Sequence, residues 1–224
     1  MKQVAILQFP GTNCDLDTQY AFDKLGCQTT IVWHKETKLP LDTELVVIAG
    51  GFSYGDYLRS GAIAKFSPIM SAVVEYANRG GKVLGICNGF QILTEVGLLP
   101  GALKRNINLH FISKFQTLKV VNNTNEFLKK CDKDEILNIP IAHADGNYYI
   151  DENGYKELES NEQILLQYCD NRGERAIVNG SVNSIAGICN KNKNVFGLMP
   201  HPERALEVVL GSTDGVKMLE GLIA

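Results

Sequence analysis

The chain has 224 residues, of which 45% are hydrophobic and 21% charged, and its formal net charge is −3. This composition is typical of a folded globular protein and excludes a disordered chain. The small negative charge gives no support for binding to nucleic acid or to an anionic membrane. No apolar run approaches the roughly 20 residues of a membrane-spanning helix, and the first ten residues are typical of a strand rather than of a secretion signal. We therefore expect a cytoplasmic protein.

The first half of the chain alternates between predicted strands and helices. Short apolar or β-branched runs predict strands at residues 4–7, 29–33, 45–49 and 82–86. Capping and stop residues predict helices from Asn13 to Gly26, from Ser67-Pro68 to Gly80 and from Phe90 to Gly97. Because the alternation requires crossover connections, it predicts a mostly parallel sheet with helices on both faces.

The second half has further predicted strands with few helices between them, at residues 115–121, 135–141, 164–169, 184–188 and 195–199. A polar turn at residues 190–194 predicts a hairpin between the last two strands, and residues 213–223 are predicted to form a closing helix. No repeat or linker divides the chain. We therefore predict one α/β domain over residues 1–224, with an open, mostly parallel sheet, flanking helices and additional antiparallel strands in the second half.

Cys87 lies in the most specific local motif, Gly85-Ile86-Cys87-Asn88-Gly89. The motif follows a strand and precedes a helix, which is the context of a nucleophile elbow with Cys in place of Ser. Its glycines permit the tight turn that presents the sulphur, and the Asn88 amide is expected to face a developing oxyanion. The six cysteines form no C-x-x-C pair and no zinc-type spacing, so we expect reduced thiols and no metal site. The alternative is that Cys87 is a buried core cysteine.

A thiol nucleophile needs a base, and the sequence offers four histidines: His34, His110, His143 and His201. His201 is favoured because Pro202 biases it towards an extended conformation, in which Glu203 can face the imidazole and fix its tautomer. The strand at residues 195–199 precedes His201 and can end at the same sheet edge as Cys87. The alternative for this segment is a surface turn with an incidental ion pair.

Residues 50–56 follow the third predicted strand, at the edge where open α/β sheets bind ligands. Backbone amides at Gly51 and Phe52 are expected to be free and to supply a second oxyanion donor. A phosphate-binding loop is the alternative. The glycine spacing matches neither of the nucleotide-binding patterns, so nucleotide binding is not predicted here.

These three segments resemble those of the class I, or triad-type, glutamine amidotransferases, which implies a flavodoxin-like fold. The resemblance extends over nearly the whole chain and is most specific for the glutaminase subunits of phosphoribosylformylglycinamidine synthases of the small, multi-subunit type. The segments that carry it are FPGTNCD at residues 9–15, GGFSYGDYLRSGAIA at 50–64, GICNGFQ at 85–91, NGS at 179–181, IAGI at 185–188 and MPHPER at 199–204.

The resemblance implies Cys87 as nucleophile, His201 as general acid and base, and Glu203 as the residue that orients the imidazole. Cys87 would form a γ-glutamyl thioester and free ammonia, and water would then release glutamate. The oxyanion and substrate contacts that the resemblance implies involve Gly51 or Phe52, Asn88 and Gln91.

The resemblance also implies partners. Ammonia would pass by a protected route to a large synthetase subunit, which uses ATP and Mg²⁺ to convert formylglycinamide ribonucleotide to its amidine in purine biosynthesis. A small third subunit joins the complex, and this chain itself needs no cofactor. Partner binding is expected to rearrange residues 50–60. The alternatives are a cysteine peptidase, a γ-glutamyl hydrolase or another hydrolase with the same elbow, and a non-catalytic scaffold subunit.

The sequence departs from the family pattern at two places. Ser60 stands where the family often has Cys, and Ala144-Asp145 stands where it often has Gly-Glu after His143. Neither position belongs to the expected triad. The second departure weakens any claim that residues 143–148 bind glutamine or a partner, so these residues are not counted among the predicted site.

Overall fold

The computed structural model describes residues 1–224, which form eleven strands and five helices. The strands are β1 (Gln3–Gln8), β2 (Gln28–Trp33), β3 (Leu45–Ile48), β4 (Lys82–Ile86), β5 (Ala102–Lys104), β6 (Ile112–Val120), β7 (Ile136–His143), β8 (Asn147–Tyr149), β9 (Ile164–Tyr168), β10 (Ile185–Cys189) and β11 (Val195–Leu198). The helices are α1 (Asp15–Lys24), α2 (Pro68–Asn78), α3 (Asn88–Glu95), α4 (Glu152–Ser160) and α5 (Gly215–Ile223). None of the helices is both long and apolar enough to cross a membrane.

Nine strands form one mixed sheet in the order β2-β1-β3-β4-β11-β10-β9-β6-β7, and β5 pairs separately with β8. The first five strands of this order are parallel, and each of the remaining four is antiparallel to its neighbour. Every residue of β3 is buried, as an apolar strand covered on both faces requires. The predicted fold class, with a parallel first half and antiparallel additions, is confirmed.

The register of the central strands determines which loops meet. β4 lies between β3 and β11, with Gly85 opposite Ile48 and Ile86 opposite Leu198. Because the three strands are parallel, the segments that leave their carboxyl ends emerge side by side. Cys87 therefore has the loop after β3 on one side and the segment leading to His201 on the other.

The sequence predictions were wrong or incomplete at three places. The short pair β5 and β8 was missed, since three-residue strands are too short to show a periodicity. Helix α4 was also missed, although its N-cap, Asp151, accepts a hydrogen bond from the Gly154 amide at 2.7 Å. The expected cap at Asn13 was wrong, because Cys14 occupies the N-cap position of α1 and its side chain makes no capping bond.

Candidate active site

Cys87 occupies a strained turn between β4 and α3. Its backbone has φ 51° and ψ −103°, a conformation that costs a non-glycine residue on the order of 1–3 kcal/mol. The Cys87 amide donates to the Leu198 carbonyl at 2.8 Å, which ties the turn to β11. A β-carbon at Gly89 would lie 2.0 Å from the Ile48 carbonyl oxygen, so α3 approaches β3 this closely only because residue 89 is glycine. The surrounding sheet thus holds the elbow in its strained conformation.

His201 and Glu203 form a buried pair at the end of β11. The Nδ1 atom of His201 lies 2.7 Å from Oε1 of Glu203, and each residue is only 2% exposed. Burial by itself lowers the pKa of His201, but the Glu203 carboxylate and the Cys87 thiol outweigh it and raise that pKa well above its ordinary value. The Nε2 atom has no hydrogen-bond partner. Since Glu203 occupies Nδ1, Nε2 is the ring nitrogen that remains free for proton exchange.

A 3₁₀ turn, and not the expected extended segment, brings Glu203 to the imidazole. His201 is near-extended, with φ −109° and ψ 83°, but residues Pro202–Arg204 form a 3₁₀ turn rather than a continued extended segment. Proline begins this turn, which its fixed φ favours. Glu203 contacts the His201 imidazole as expected. The contact results from the 3₁₀ turn and not from alternate residues of an extended segment facing the same way.

The other three histidines are in environments that do not suit a base for Cys87. His143 is buried, which lowers its pKa to about 4, and its Nδ1 lies 3.1 Å from Oδ1 of Asn106. His34 is bonded to the hydroxyl of Tyr54 at 2.7 Å. His110 is exposed on the surface. Of the four candidates, His201 alone combines a carboxylate partner with a place in the same cavity as Cys87.

Two backbone amides are available as oxyanion donors. The Asn88 amide is the first of α3 and therefore has no acceptor within the helix. The Gly51 amide makes no backbone hydrogen bond, but the Phe52 amide donates to the Gly11 carbonyl at 2.9 Å. The expectation of a free amide at Phe52 is therefore wrong for this conformation, and Gly51 is the available donor of the two.

Cys87 stands between two small cavities. The first, of about 100 Å³, lies on the side of His201 and is also lined by Cys14, Phe52, Phe111 and Arg204. The Cys14 sulphur, a ring nitrogen of His201 and a carboxylate oxygen of Glu203 all lie within 4.8 Å of one another. The second cavity, of about 20 Å³, lies on the other side of Cys87 and is lined by Asp56, Ser60, Gln91, His143 and Asp145, among others.

The second cavity contains two carboxylates without a full set of partners. Burial, and then the neighbouring Asp145, raise the pKa of Asp56 to about 6. The buried Oδ1 atoms of both residues accept no hydrogen bond, although Nη1 of Arg105 lies 3.5 Å from that of Asp145. A buried carboxylate that lacks donors is suited to pair with a cation.

Ser60 and Gln91 hold Asp145 in this position. The Ser60 hydroxyl donates to Oδ2 of Asp145 at 2.8 Å, and the Gln91 side chain donates to the Asp145 carbonyl at 2.8 Å. Gln91 also accepts a bond from the Asn88 side chain at 2.8 Å. Its amide is therefore engaged within the protein, and its contact with bound glutamine remains a prediction.

The sequence analysis did not single out Asp56 or Asp145, which line the cavity beside Cys87. A signal was nevertheless present, because Ser60 and Asp145 are the two places where the chain departs from the family pattern. The structure shows that their side chains touch.

Comparison with known proteins places the chain in a family. The model of the CobB/CobQ-like glutamine amidotransferase domain matches residues 1–216. The chain belongs to this family. The amidotransferase is 68% identical over 221 residues to the phosphoribosylformylglycinamidine synthase subunit PurQ of Sulfurimonas denitrificans, with 99% of each chain covered. It is 60% identical to the protein of that name from Campylobacter jejuni, with 99% of this chain and 96% of the relative covered.

Solved structures resemble the amidotransferase along its whole length. A chain in the structure of PurLQS from Thermotoga maritima is 42% identical, with a TM-score of 0.89 and coverage of 99% of this chain and 97% of that one. A putative GMP synthase subunit from Thermoplasma acidophilum has a TM-score of 0.66 at 16% identity and covers 100% of this chain and 92% of its own. The second resemblance shows the fold alone.

Proposed function

We propose that this amidotransferase is the glutaminase subunit of phosphoribosylformylglycinamidine synthase and hydrolyses glutamine on Cys87. The observation that carries this proposal is a thiol on a strained elbow that shares one cavity with a buried His201–Glu203 pair. The full-length relatives named PurQ support the place of the chain in purine biosynthesis. A non-catalytic scaffold has no need of this strained and pre-arranged site.

In the proposed reaction these residues act by nucleophilic catalysis. His201 removes the proton of the Cys87 thiol through Nε2, and the sulphur attacks the side-chain carbonyl carbon of glutamine. The Gly51 and Asn88 amides stabilise the oxyanion that forms. When the carbon–nitrogen bond breaks, His201 returns the proton to the leaving nitrogen, which departs as ammonia. Water then attacks the γ-glutamyl thioester with His201 as base, and glutamate and the free thiol result.

The two cavities support one direction of glutamine binding. Asp56 and Asp145 lie on one side of Cys87 and are suited to bind the α-ammonium group of the substrate. The amide nitrogen then lies on the other side, next to His201. A peptide substrate is disfavoured, because a charged amino group would be required at the place where a peptide chain continues.

Glutamine binding requires movement of the loop after β3. The cavity between the two carboxylates and Cys87 has a volume of about 20 Å³, which is too small for the head of an amino acid. Within this loop Tyr54, Asp56 and Leu58 have φ values of 54°, 54° and 71°. This strained conformation and the engaged Phe52 amide support a rearrangement of residues 50–60 on association with the partner subunits.

The partner in this proposal is a large synthetase subunit that holds ATP and Mg²⁺, together with a small third subunit. This chain supplies ammonia and needs no cofactor of its own. The multi-subunit PurLQS structure from Thermotoga maritima, which contains a related chain, supports this assembly. Glutamine hydrolysis without the acceptor would waste substrate, so full activity is expected only in the complex.

A diazoketone analogue of glutamine is expected to label Cys87 covalently. The labelled peptide should be the one that contains residue 87, and labelling should be faster in the assembled complex because residues 50–60 are then rearranged. Mass spectrometry of the digested protein measures the site, and Cys87→Ala is the control. Labelling of Cys14, the other thiol of the same cavity, would contradict the assignment of the nucleophile.

Asp56→Asn is expected to weaken glutamine binding and to stabilise the fold. Loss of the charge should raise the KM for glutamine about tenfold, the effect of losing roughly 1.4 kcal/mol of binding. The pKa of Asp56 is raised from 3.8 to about 6, so its charged form is unfavourable in the folded state at neutral pH. After a discount for its partial exposure, the free energy of unfolding should increase by about 1 kcal/mol. Steady-state kinetics and urea unfolding at pH 7 measure the two effects.

The pH dependence of protein stability and of the KM for glutamine gives a second test of the role of Asp56. Its folded-state pKa is above the unfolded value, so the wild-type protein loses stability as pH rises from about 4 to about 6. The KM for glutamine should rise as pH falls below about 6, because the carboxylate that holds the ammonium group is then protonated. Asp145, Ser60 and His143 line the same cavity, Arg105 pairs with Asp145, and all four remain in both proteins. Asp42→Asn, at an exposed position, is the matched control. An unchanged KM in Asp56→Asn would contradict the assigned role.

A further inference from the structure

We infer that the Arg204 side chain closes the exit by which ammonia leaves Cys87. This inference rests on the proposed glutaminase function. The ammonia is formed next to His201, in the cavity of about 100 Å³, and Arg204 is part of the wall of that cavity. The other side of Arg204 faces a cleft of about 590 Å³. The cleft is further lined by Asp17, Tyr20, Phe115, Pro140, Glu203, Glu207 and Leu210.

The orientation of glutamine leaves this wall as the natural exit. The carboxylates Asp56 and Asp145 occupy the opposite side of Cys87 and attract a cation there. His201 delivers the proton to the leaving nitrogen, so ammonia is released on the side of the imidazole. Arg204 follows His201 by three residues and lies at the end of the same 3₁₀ turn. The product therefore forms next to the wall that contains the guanidinium.

Only weak contacts hold Arg204 in place. Its Nη2 atom lies 3.1 Å from the Cys14 sulphur, and its Nε donates to Oδ2 of Asp17 at 2.9 Å. The side chains of Arg204 and Asp17 are 35% and 48% exposed. A partly exposed ion pair of this kind contributes only about 0–1 kcal/mol. The side chain can therefore swing outward at little cost, and it can return when the product has passed.

The cleft beyond Arg204 suits a small neutral molecule. Its carboxylates are paired with neighbouring side chains: Asp17 with Arg204, Glu203 with His201 through Oε1, and Glu207 with Lys24 and the hydroxyl of Tyr20. The other carboxylate oxygen of Glu203, Oε2, accepts no hydrogen bond. The remaining lining is mainly apolar, and next to it Val208 and Val209 are 85% and 84% exposed. The Arg204 charge also disfavours protonation of ammonia near it, since two positive charges at close range repel.

Closure by Arg204 also gives a reason why glutaminase activity would depend on the assembled complex. While the side chain bridges Cys14 and Asp17, it closes one wall of the small cavity beside Cys87. Thioester hydrolysis needs water, so an exit that is closed at rest keeps glutamine consumption slow. Opening the wall at the moment of transfer releases ammonia and admits the water that frees glutamate.

The test compares glutamate with amidine product in the assembled complex. The wild-type complex should form the two in equal amounts. In Arg204→Ala we expect glutamate formation to continue and the ratio of glutamate to amidine to rise several-fold, with free ammonia detectable in solution. Asp17→Asn removes the negative charge that pairs with Arg204 and should give a smaller rise. Arg172→Ala, at a side chain that is 86% exposed and lines neither cavity, is the control and should leave the ratio unchanged.

Three outcomes would overturn the inference. If the rates of glutamate and amidine formation fall together in Arg204→Ala and Asp17→Asn, Arg204 only positions Cys14 and His201. If the ratio stays at one with unchanged rates, the guanidinium closes nothing. If Phe111→Ala uncouples the reactions and Arg204→Ala does not, the exit lies at the Phe52–Phe111 wall, whose rings are 6.4 Å apart. A failure of the proposed function is distinct from these, since Cys87→Ala would then still form glutamate.

Discussion

Replacing Cys87 with alanine is expected to abolish glutamine-dependent synthesis by the assembled complex and to leave ammonia-dependent synthesis unchanged. In the proposed reaction the sulphur forms the thioester, and alanine at this position offers no nucleophile in its place. Loss of a covalent nucleophile typically lowers the rate by a factor of about 10³ or more. Product formation with glutamine and with ammonium chloride, measured side by side, separates the glutaminase step from the synthetase step.

Cys131→Ala provides the matched control for this experiment. Cys131 is buried, and burial and nearby carboxylates raise the pKa of its thiol to about 12, so it is not a reactive nucleophile. The control should keep both activities. Persistent glutamine use in Cys87→Ala would show that the nucleophile is another group, with Cys14 as the next candidate. Loss of both activities in a complex that assembles normally would show that Cys87 has a structural role.

Gly89→Ala is expected to destabilise the fold by about 3 kcal/mol, the upper range for overpacking in a core. A β-carbon at this position would lie 2.0 Å from the Ile48 carbonyl oxygen and 2.8 Å from its carbon. Both are backbone atoms of β3, so neither can move without displacing the strand from β4. The shift should also move the Gly51 amide and lower glutaminase activity. Urea unfolding measures the loss of stability.

Gly26→Ala separates the steric effect from the conformational one. Gly26 has φ +82°, and no atom lies within 4 Å of the position that an added β-carbon would occupy, so alanine there meets only the cost of the left-handed conformation. That cost is about 1–2 kcal/mol. If Gly89→Ala is no more destabilising than Gly26→Ala, the close approach of α3 and β3 does not limit the elbow.

The local patterns of the sequence were sufficient for most elements of the fold. β4 was predicted at its observed bounds, and the hairpin between β10 and β11 follows from the polar turn at residues 190–194. These elements are specified by short-range physics, namely apolar runs, turn residues and stop signals. The predictions failed at α4 and at β5 with β8, where the segments are short or polar and are stabilised by contacts with the rest of the chain.

The sequence by itself indicated the residues of the proposed site, namely a cysteine between glycines at a strand–helix turn and a His-Pro-Glu segment. The local geometry of the second segment is a 3₁₀ turn, which the sequence did not predict. Only the tertiary structure decided that these segments meet. The pairing of β4 with β11 and with β3 brings Cys87 beside His201 and Gly51. The proximity of Asp56 to Asp145 and the position of Arg204 between two cavities also depend on this assembly. The physical reason is that side chains distant in the chain are joined by strand order and loop packing, which leave no periodic signal in the sequence.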